Sequence, residues 1–228
     1  MAVRRLALVP AAGRGERFGD ALPKMTVELA GRPILVWAAR RLVAGGADEV
    51  VVAVSEELAG YAAELDLDGL PVRFTRGGAT RQESVAACLA AAPGPPDGLV
   101  LVHDGARPAV DPGDVARVTA AAERSGAAIL GRPVADTLKR VARDRITGTV
   151  DRSQLFRAET PQVFRREILE RAFERARRDG FTGTDESSLV ERLDGVEVTA
   201  VAAARPNPKL TAPGDLTLLE RLLAGAAG

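Results

Sequence analysis

Residues 6–19 read LALVPAAGRGERFG, a short apolar run that ends at Pro10 in a loop of small residues and glycines. The run Leu6–Val9 is typical of a buried strand. Small residues let backbone amides approach an anion, and basic side chains follow at Arg17 and Lys24. This stretch therefore predicts the first strand of an α/β protein and, directly after it, a turn that can cradle phosphates.

The alternation of strand and helix continues along the chain. Apolar runs bounded by Gly, Pro or Asp predict buried strands at Leu6–Val9, Val50–Val54, Val72–Thr75, Leu99–Val102, Ala127–Leu130 and Val196–Val201. Helical periodicity lies between them at Pro33–Ala44, Thr80–Ala91, Asp114–Ser125, Glu167–Asp179 and Asp215–Leu223. The predicted fold class is α/β: a mostly parallel, open, twisted, Rossmann-like sheet with helices on both faces, in a single domain over residues 1–228.

Residues 134–156, VADTLKRVARDRITGTVDRSQLF, depart from this alternation. A polar centre at Arg143–Asp144 lies between Lys139–Ala142 and Ile146–Val150, which predicts an extended hairpin that protrudes as an arm. A two-stranded ribbon has no core of its own and is marginal when isolated. We therefore expect the arm to pack on a second copy of the chain in a homodimer.

Composition limits the class of partner. The 228 residues contain 31 basic and 31 acidic side chains, so the chain has no overall positive field for nucleic acid. Leu6–Val9 is too short for the core of a signal peptide, and no apolar stretch reaches the roughly 18 residues of a membrane span. One cysteine, Cys88, and one histidine cannot assemble a Cys/His zinc site. We expect a cytoplasmic protein with neither membrane nor nucleic-acid partners.

The first loop, Pro10–Gly19, matches neither of two familiar phosphate-binding patterns. The third glycine position of the dinucleotide fingerprint holds Phe18, and no Gly-Lys-Ser/Thr of a P-loop follows. For the pair Gly13 and Gly15 alone, a plain sharp turn is an equally good interpretation. Arg17 and Lys24 favour the anion site.

A second loop, residues 76–84 (RGGATRQES), follows a predicted strand and opens a helix. Thr80 and Glu83 form a capping box, the reciprocal hydrogen bonding of a helix start. Gly77 and Gly78 admit a ligand close to the backbone. Taken alone, Ser84 is interpreted as a water-exposed residue of the first helical turn.

Two more loops follow strands, at residues 103–108 (HDGARP) and 205–211 (RPNPKLT). Asp104, at the end of a strongly apolar strand, is placed to hold a hydrated Mg²⁺ on nucleotide phosphates; the alternative is that it caps a turn and pairs with Arg107. His103 is interpreted as a structural residue, because no base or nucleophile accompanies it. Prolines stiffen the loop that presents Lys209, which by itself could be an ordinary surface charge.

Ligands of open parallel sheets bind beyond the carboxyl ends of the strands, so the four loops are predicted to meet in one crevice. It would contain Arg17, Lys24, Arg107 and Lys209 against essentially one carboxylate, Asp104. This balance suits a polyphosphate with a divalent metal. Cys88 lies in an apolar helix and no Ser lies in a G-x-S-x-G turn, so we expect direct transfer without a covalent enzyme intermediate.

Seven blocks in order carry a resemblance to a known family. They are AAGRGERFG with LPK (11–24), GGATRQES (77–84), VHDGARP (102–108), VADTLKR (134–140), VDRSQLFRAETPQ (150–162), TGTDESS (182–188) and NPKLT (207–211). Together they resemble the 2-C-methyl-D-erythritol 4-phosphate cytidylyltransferases over about residues 6–222. Gly105, where the family usually has Ala, and Ala79, where Asp is common, depart from its pattern.

The resemblance implies the fold of the sugar-nucleotide pyrophosphorylases and transfer of a cytidylyl group from CTP to 2-C-methyl-D-erythritol 4-phosphate. Arg17 and Lys24 would stabilise charge at the α-phosphorus, Arg152 and Lys209 would orient the attacking phosphate, and Asp104 would lie near Mg²⁺. The implied nucleotide-binding residues are Pro10, Ala11, Ala12, Gly13, Gly15, Gly78, Ser84, Asp104 and Gly105. The implied residues for the second substrate are Arg107, Thr137, Arg152, Thr160, Thr184 and Lys209. Thr137 and Arg152 lie at the roots of the arm, so each active site would be shared between two subunits.

Three alternatives stay open. The same scaffold serves a cytidylyltransferase for another polyol phosphate, such as ribitol 5-phosphate. An NAD(P)-dependent oxidoreductase is disfavoured by Phe18 and by the absence of a Tyr-x-x-x-Lys pair, since Leu65 stands four residues after Tyr61. A non-catalytic nucleotide-binding protein is disfavoured, because it would not need the set of basic side chains at Arg17, Lys24 and Arg152.

Overall fold

The computed structural model of the chain describes residues 3–13 and 24–224. The strands in this part of the chain are β1 (Arg5–Pro10), β2 (Glu28–Leu29), β3 (Arg32–Pro33), β4 (Glu49–Val54), β5 (Val72–Arg76), β6 (Leu99–Val102), β7 (Ala127–Pro133), β8 (Leu138–Ala142), β9 (Arg145–Val150), β10 (Phe156–Arg165) and β11 (Thr199–Ala202). The helices are α1 (Ile34–Ala44), α2 (Glu56–Glu64), α3 (Arg81–Ala91), α4 (Pro112–Ser125), α5 (Arg166–Asp179), α6 (Glu186–Val190) and α7 (Leu216–Ala224). None of these helices is long and apolar enough to cross a membrane.

Within the described residues the central sheet has seven strands in the order β11-β7-β10-β6-β1-β4-β5. Every neighbouring pair is parallel except those of β10, which runs antiparallel to both β6 and β7. Alternate residues of each strand point to opposite faces, so the sheet needs a helical layer on each side. The predicted α/β class with a mostly parallel sheet is confirmed.

Two apolar cores lie on the two faces of the sheet. In β1, Ala7 and Val9 join the core under α1, α2, α4 and α7, whereas Leu6 and Leu8 join the core under α3, α5 and α6. The four side chains are at most 3% exposed. Burial on both faces explains why the strands appear in the sequence as continuous apolar runs rather than as alternating patterns.

The structure differs from the sequence prediction at β10, α2, α6 and β11. β10 was not predicted, because its sequence FRAETPQVFR carries polar residues that are buried only with partners from other segments. α2 and α6 were missed as well: α2 buries only Leu58 and Ala62, and α6 has five residues. The last strand was predicted at Val196–Val201 and begins only at Thr199; Val196 and Val198 pack against the second core before the strand starts.

The predicted arm is present as the antiparallel pair β8 and β9, outside the central sheet. Its turn lies at the polar centre, where Arg143 has a positive φ of 50°. The side chains of Val141 and Ile146 are 61% and 67% exposed. The arm therefore presents apolar surface that nothing in the described part of this chain covers.

The order of the strands sets the position of the site. β1 and β6 are neighbours, but the chain leaves β1 towards β4 on one side and leaves β6 towards β7 on the other. Their carboxyl ends mark a topological switch point, where adjacent loops diverge and open a crevice. Backbone bonds fix both loops: the amide of Ala11 donates to Ala53 O at 2.8 Å, and that of His103 to Leu8 O at 2.9 Å.

Candidate active site

A cleft of about 190 Å³ opens beyond the carboxyl ends of β1, β5 and β6. It is lined by all the described members of the predicted nucleotide set: Pro10, Ala11, Ala12, Gly13, Gly78, Ser84, Asp104 and Gly105. Lys24 and Lys209 line it too. Gly15 and Arg17 lie outside the described residues. The structure thus brings the four predicted loops together at the switch point, as far as it describes them.

The wall of the cleft next to β1 is made mainly of backbone. A Cβ added at Gly77 would lie 2.4 Å from the Cβ of Ala12, and one at Gly78 would lie 2.3 Å from the Cβ of Glu83. At Gly77 the loops after β1 and β5 therefore pack too closely for a side chain, and at Gly78 the start of α3 leaves no room for one. Only glycine satisfies this packing, and Gly78 lines the cleft without a side chain.

The helix start after this glycine pair is confirmed as a capping box. The Oγ1 of Thr80 accepts from the amide of Glu83 at 3.1 Å, and Glu83 Oε2 accepts from the amide of Thr80 at 3.1 Å. The interpretation of Ser84 as water-exposed is wrong, since only 2% of the residue is exposed. Its hydroxyl donates to Thr80 O at 2.9 Å and accepts from the amide of Gly78 at 3.2 Å, which holds the glycine loop onto α3.

Asp104 is the electrostatic centre of the cleft. Its Oδ1 accepts from Arg81 Nε at 3.1 Å, its Oδ2 accepts from Lys209 Nζ at 2.8 Å, and Arg107 Nε lies 3.7 Å from Oδ2. Burial by itself would raise the pKa of Asp104, but the charges of Arg81 and Lys209 outweigh burial and hold that pKa well below its usual range. The carboxylate is therefore ionised throughout the neutral range.

A second carboxylate, Glu186, belongs to the same cluster. Arg81 Nη1 donates to Glu186 Oε1 at 2.8 Å and to Oε2 at 2.9 Å. Among the described residues that line the cleft, Asp104 is the one carboxylate, as expected, whereas Glu186 lies behind Arg81, a cleft residue that the sequence analysis gave no role. Arg81 and Glu186 are 105 positions apart, so no local spacing signals their contact. Their presence in two of the seven blocks was the available signal.

Behind Asp104, His103 and Thr160 form a buried chain of hydrogen bonds. Thr160 Oγ1 accepts from the amide of Asp104 at 3.0 Å and lies 3.0 Å from His103 Nδ1. His103 Nε2 lies 3.1 Å from Arg107 O, which can only accept, so Nε2 carries the proton and Nδ1 accepts from the threonine hydroxyl. This geometry supports a structural His103, and it engages the hydroxyl of Thr160 inside the protein.

The loop after β11 is tied to the cleft at several points. Arg107 Nη1 donates to Asn207 O at 2.6 Å, and Asn207 Nδ2 donates to Thr160 O at 2.8 Å. Lys24 Nζ donates to Leu210 O at 3.0 Å. These bonds place Lys209 and Lys24 on the same side of the cleft, so two ammonium groups face a ligand that enters it.

The remaining predicted residues for the second substrate lie apart from the cleft. Thr137 and Arg152 flank the arm, and Thr184 precedes α6. All three are exposed, and none is among the described residues that line the cleft. Their roles stay predictions.

A cleft at the switch point of a parallel sheet, walled by main chain on one side and lysines on the other, suits the phosphates of a nucleotide, and fold and site define an α/β nucleotidyltransferase. Within that class, the chain belongs to the 2-C-methyl-D-erythritol 4-phosphate cytidylyltransferase family, whose model matches residues 5–224. This confirms the resemblance carried by the seven blocks. It also disfavours the oxidoreductase and non-catalytic alternatives.

Individual relatives agree with the family match. The chain is 43% identical to the 2-C-methyl-D-erythritol 4-phosphate cytidylyltransferase of Acidobacterium capsulatum, over 95% of each chain. It is 37% identical to the protein of that name from Bacillus velezensis, over 98% of this chain and 97% of the relative. The crystal structure of the Thermus thermophilus protein of that name has a TM-score of 0.79 and 40% identity, over 98% of this chain and 100% of that one.

The buried histidine predicts an acid-sensitive fold. Burial lowers the pKa of His103 to about 4, from its ordinary value of 6.5. The unfolded state binds this proton more tightly, so the free energy of unfolding falls as the pH drops from about 6.5 towards 4. From pH 7.5 to pH 5 we expect His103 to cost about 2 kcal/mol of stability, measured by urea unfolding at both pH values.

The variant His103→Gln isolates this contribution, because glutamine carries no titrating group. It should be less stable than wild type at pH 7.5 but lose about 2 kcal/mol less on acidification. The carboxylates are common to both proteins, and Asp104 titrates below this window. An equal loss of stability in the two proteins would contradict a buried neutral His103.

Proposed function

We propose that the protein transfers the cytidylyl group of CTP to 2-C-methyl-D-erythritol 4-phosphate, forming 4-diphosphocytidyl-2-C-methyl-D-erythritol and pyrophosphate. The name of this activity is carried by relatives that match nearly the whole chain. The observation in the structure that best supports it is the single cleft in which Lys24, Lys209 and Asp104 lie together at the switch point. Such a cleft suits a triphosphate approached by a second phosphate.

Positioning and charge neutralisation dominate the proposed reaction. A phosphate monoester has its second pKa near 6, so the acceptor is already a dianion at neutral pH and needs no general base. One of its oxygens forms a bond to the α-phosphorus of CTP, while the bond from that phosphorus to the bridging oxygen breaks and pyrophosphate leaves with the electron pair. The only histidine, His103, is buried and neutral, which agrees with chemistry that needs no proton shuttle.

We assign the basic side chains of the site to two roles, one at the α-phosphorus of CTP and one at the attacking phosphate. Lys24 lines the cleft and would stabilise charge at the α-phosphorus, a role we also assign to Arg17 outside the described residues. Lys209 would orient the attacking phosphate together with Arg152. The other residues proposed for the acceptor are Arg107, Thr137, Thr160 and Thr184. Backbone and small side chains would surround the nucleotide, at Pro10–Gly13, Gly15, Gly78, Ser84 and Gly105.

The donors in the cleft fit a divalent cation, for which we propose Mg²⁺. In nucleotide enzymes Mg²⁺ is usually held through one or two carboxylates and the substrate phosphates. Among residues 3–13 and 24–224 no group of three or more histidine, cysteine or acidic side chains is placed to hold a metal. Asp104 is ionised and reaches the cleft, so it is the residue that would hold the ion. When bound, the ion supplies neutralisation of triphosphate charge.

We further propose a single domain with a dimerisation arm at about residues 134–156. The exposed Leu138, Val141 and Ile146 give the arm an apolar surface that suits a second copy of the chain. An arm that crosses to the neighbouring subunit would carry Thr137 and Arg152 towards the partner's cleft, which would account for their distance from the cleft described above. A cytoplasmic location is part of the proposal, supported by the free, buried Cys88.

Pyrophosphate release tests the proposed reaction directly. With CTP and Mg²⁺ we expect turnover of 2-C-methyl-D-erythritol 4-phosphate and none of ribitol 5-phosphate, and no turnover when ATP, GTP or UTP replaces CTP. Turnover of ribitol 5-phosphate instead would keep the mechanism but change the acceptor. Absence of turnover with both acceptors would refute the proposed acceptor class.

Loss of the Lys24 ammonium group should affect the chemical step. We expect Lys24→Ala to lower kcat by about 10²-fold or more, the scale of removing one preorganised charge contact from a transition state. Steady-state kinetics on Lys24→Ala and on Arg171→Ala, a control on the exposed side of α5, separate this effect from a general one. A raised KM with kcat intact would show that Lys24 only binds substrate.

The arm predicts a dimer that a single charge can dissociate. Static light scattering at micromolar concentration should give twice the chain mass of 23.9 kDa for wild type. Ile146→Asp should give the monomer, because it buries a charge in the apolar contact. Leu218→Asp changes a hydrophobic residue of α7 that is 50% exposed and should leave the dimer intact. A monomeric wild type would contradict the assignment of the arm.

A further inference from the structure

Arg81 connects two carboxylates that come from distant parts of the chain. Its Nε donates to Asp104 at 3.1 Å, and its Nη1 donates to both oxygens of Glu186, at 2.8 and 2.9 Å. Asp104 follows β6, whereas Glu186 is the first residue of α6, two positions after Thr184. One guanidinium therefore bridges the cleft and the segment proposed to meet the acceptor.

A second contact strengthens the same connection. Gln82, the next residue of α3, accepts from the amide of Gly183 at 3.0 Å through Oε1 and donates to Phe181 O at 3.3 Å through Nε2. The start of α3 is thus joined to residues 181–186 by both Arg81 and Gln82. A shift of this segment would displace Arg81 and, through it, the carboxylate of Asp104.

Glu186 acts only through Arg81. The side chain of Glu186 is 1% exposed and does not line the cleft, so it does not meet a ligand there. Burial raises the pKa of the Glu186 carboxyl, and the charge of Arg81 opposes this shift. Both Glu186 oxygens accept from the single nitrogen Nη1 of Arg81, which favours the ionised carboxylate.

The second carboxylate also changes the charge that Asp104 experiences. Arg81, Lys209 and Arg107 all approach Asp104. Without Glu186, three cations would surround one carboxylate and would oppose the entry of another cation. Glu186 offsets the charge of Arg81, so the guanidinium holds the Asp104 carboxylate in place while adding little net positive charge to the cleft.

We propose that Arg81 is a positioning residue that holds the Asp104 carboxylate in the orientation that turnover needs and links it to the acceptor-side segment. Because Glu186 balances its charge, Arg81 does so without opposing the entry of a divalent cation bound to a nucleotide. The inference rests on the proposed function only for the nucleotide and its cation, not for the identity of the acceptor. Arg81 provides alignment, and Glu186 keeps the cation affinity that an unbalanced arginine would reduce.

Binding of Mn²⁺ in the presence of CTP, followed by electron paramagnetic resonance without any acceptor, tests the charge balance. We expect Glu186→Gln to weaken Mn²⁺ binding about tenfold, because one negative charge near the site is lost. The double variant Arg81→Met with Glu186→Gln removes one charge of each sign. Its affinity for Mn²⁺ should return to within about threefold of wild type.

Glu170→Gln is the matched control. It also removes a carboxylate from a buried arginine, since Glu170 Oε1 lies 2.9 Å from Nη1 of Arg166, which is 5% exposed. The backbone amide of Arg166 donates to Gly98 O at 2.8 Å, next to the amino end of β6. This contact lies at the opposite end of the strand from the cleft. This variant should bind Mn²⁺ as wild type does, and melting temperatures recorded for all variants identify any loss of folding.

The alignment is tested by Arg81→Lys, which keeps the charge but replaces the planar fork by one ammonium group. We expect Mn²⁺ affinity within about threefold of wild type and a kcat lowered about tenfold or more, because Asp104 is no longer held in one orientation. If Glu186→Gln does not fold, Arg81→Lys still tests the proposal. A weakening of Mn²⁺ binding of about tenfold in Arg81→Lys would overturn the proposal.

If Arg81 and Glu186 only stabilise the fold, the double variant should not recover the Mn²⁺ affinity of wild type. If Mn²⁺ binding in the double variant is no better than in Glu186→Gln, or if Glu186→Gln binds as wild type does, the inference is wrong. Wild-type protein that binds Mn²⁺ and CTP without turning over 2-C-methyl-D-erythritol 4-phosphate would refute only the proposed acceptor. Failure of wild type to bind Mn²⁺ with CTP would overturn both proposals.

Discussion

The ionised carboxylate of Asp104, buried at the end of β6, is the constraint on which the arrangement of the site depends. A buried charge is tolerated only when partners replace the water it has lost. Its partners, Arg81 at 3.1 Å and Lys209 at 2.8 Å, come from the start of α3 and from the loop after β11. The desolvation of this one group is therefore offset only when these two segments converge on the strand end. The same ion pairs that keep Asp104 charged also shape the cleft, so stability and the proposed function rest on shared contacts.

The antiparallel strand β10 gives this carboxylate its support from behind. It lies between β6 and β7, and it carries Thr160 to the point where the hydroxyl accepts from the amide of Asp104. The imidazole of His103 and the amide of Asn207 contact the same threonine and close a network in which each of these donors has a partner. Each such bond in the interior strengthens its neighbours, although the buried Oδ1 of Asn207 has no hydrogen-bond partner among the described residues. The bonds to Thr160 require β10 to lie between β6 and β7, and this antiparallel strand is where the sheet departs from the pure alternation that the sequence predicts.

Elements whose physical signal is local could be predicted from the sequence. Runs such as Leu99–Val102 are short, apolar and bounded by turn residues, and the capping box of Thr80 and Glu83 lies within four positions. The convergence of the loops also followed, because parallel strands end at one edge of a sheet. Features whose signal is tertiary could not be predicted: Ser84 is buried by the glycine loop that folds over it, and the contact of Arg81 with Glu186 spans 105 positions. β10 was missed for the same reason, since its polar residues become compatible with burial only through partners from other segments.

The two sides of the cleft differ in how they can select a ligand. Where the loop after β1 packs against the one after β5, a Cβ on Gly77 would lie 2.4 Å from Ala12, so that wall is main chain and its shape is dictated by the packing of the fold. Under the proposed function, this wall would meet the nucleotide through the small residues Pro10–Gly13 and Gly78, which line the cleft. The side chains proposed for the acceptor, Thr137, Arg152 and Thr184, lie instead on the arm and in the segment before α6, where they are exposed and little packing restrains them. Under the proposed function, the nucleotide is therefore selected by the architecture itself. The acceptor is selected by side chains that can change without disturbing the sheet, and a scaffold of this kind can keep its nucleotide while its polyol phosphate varies.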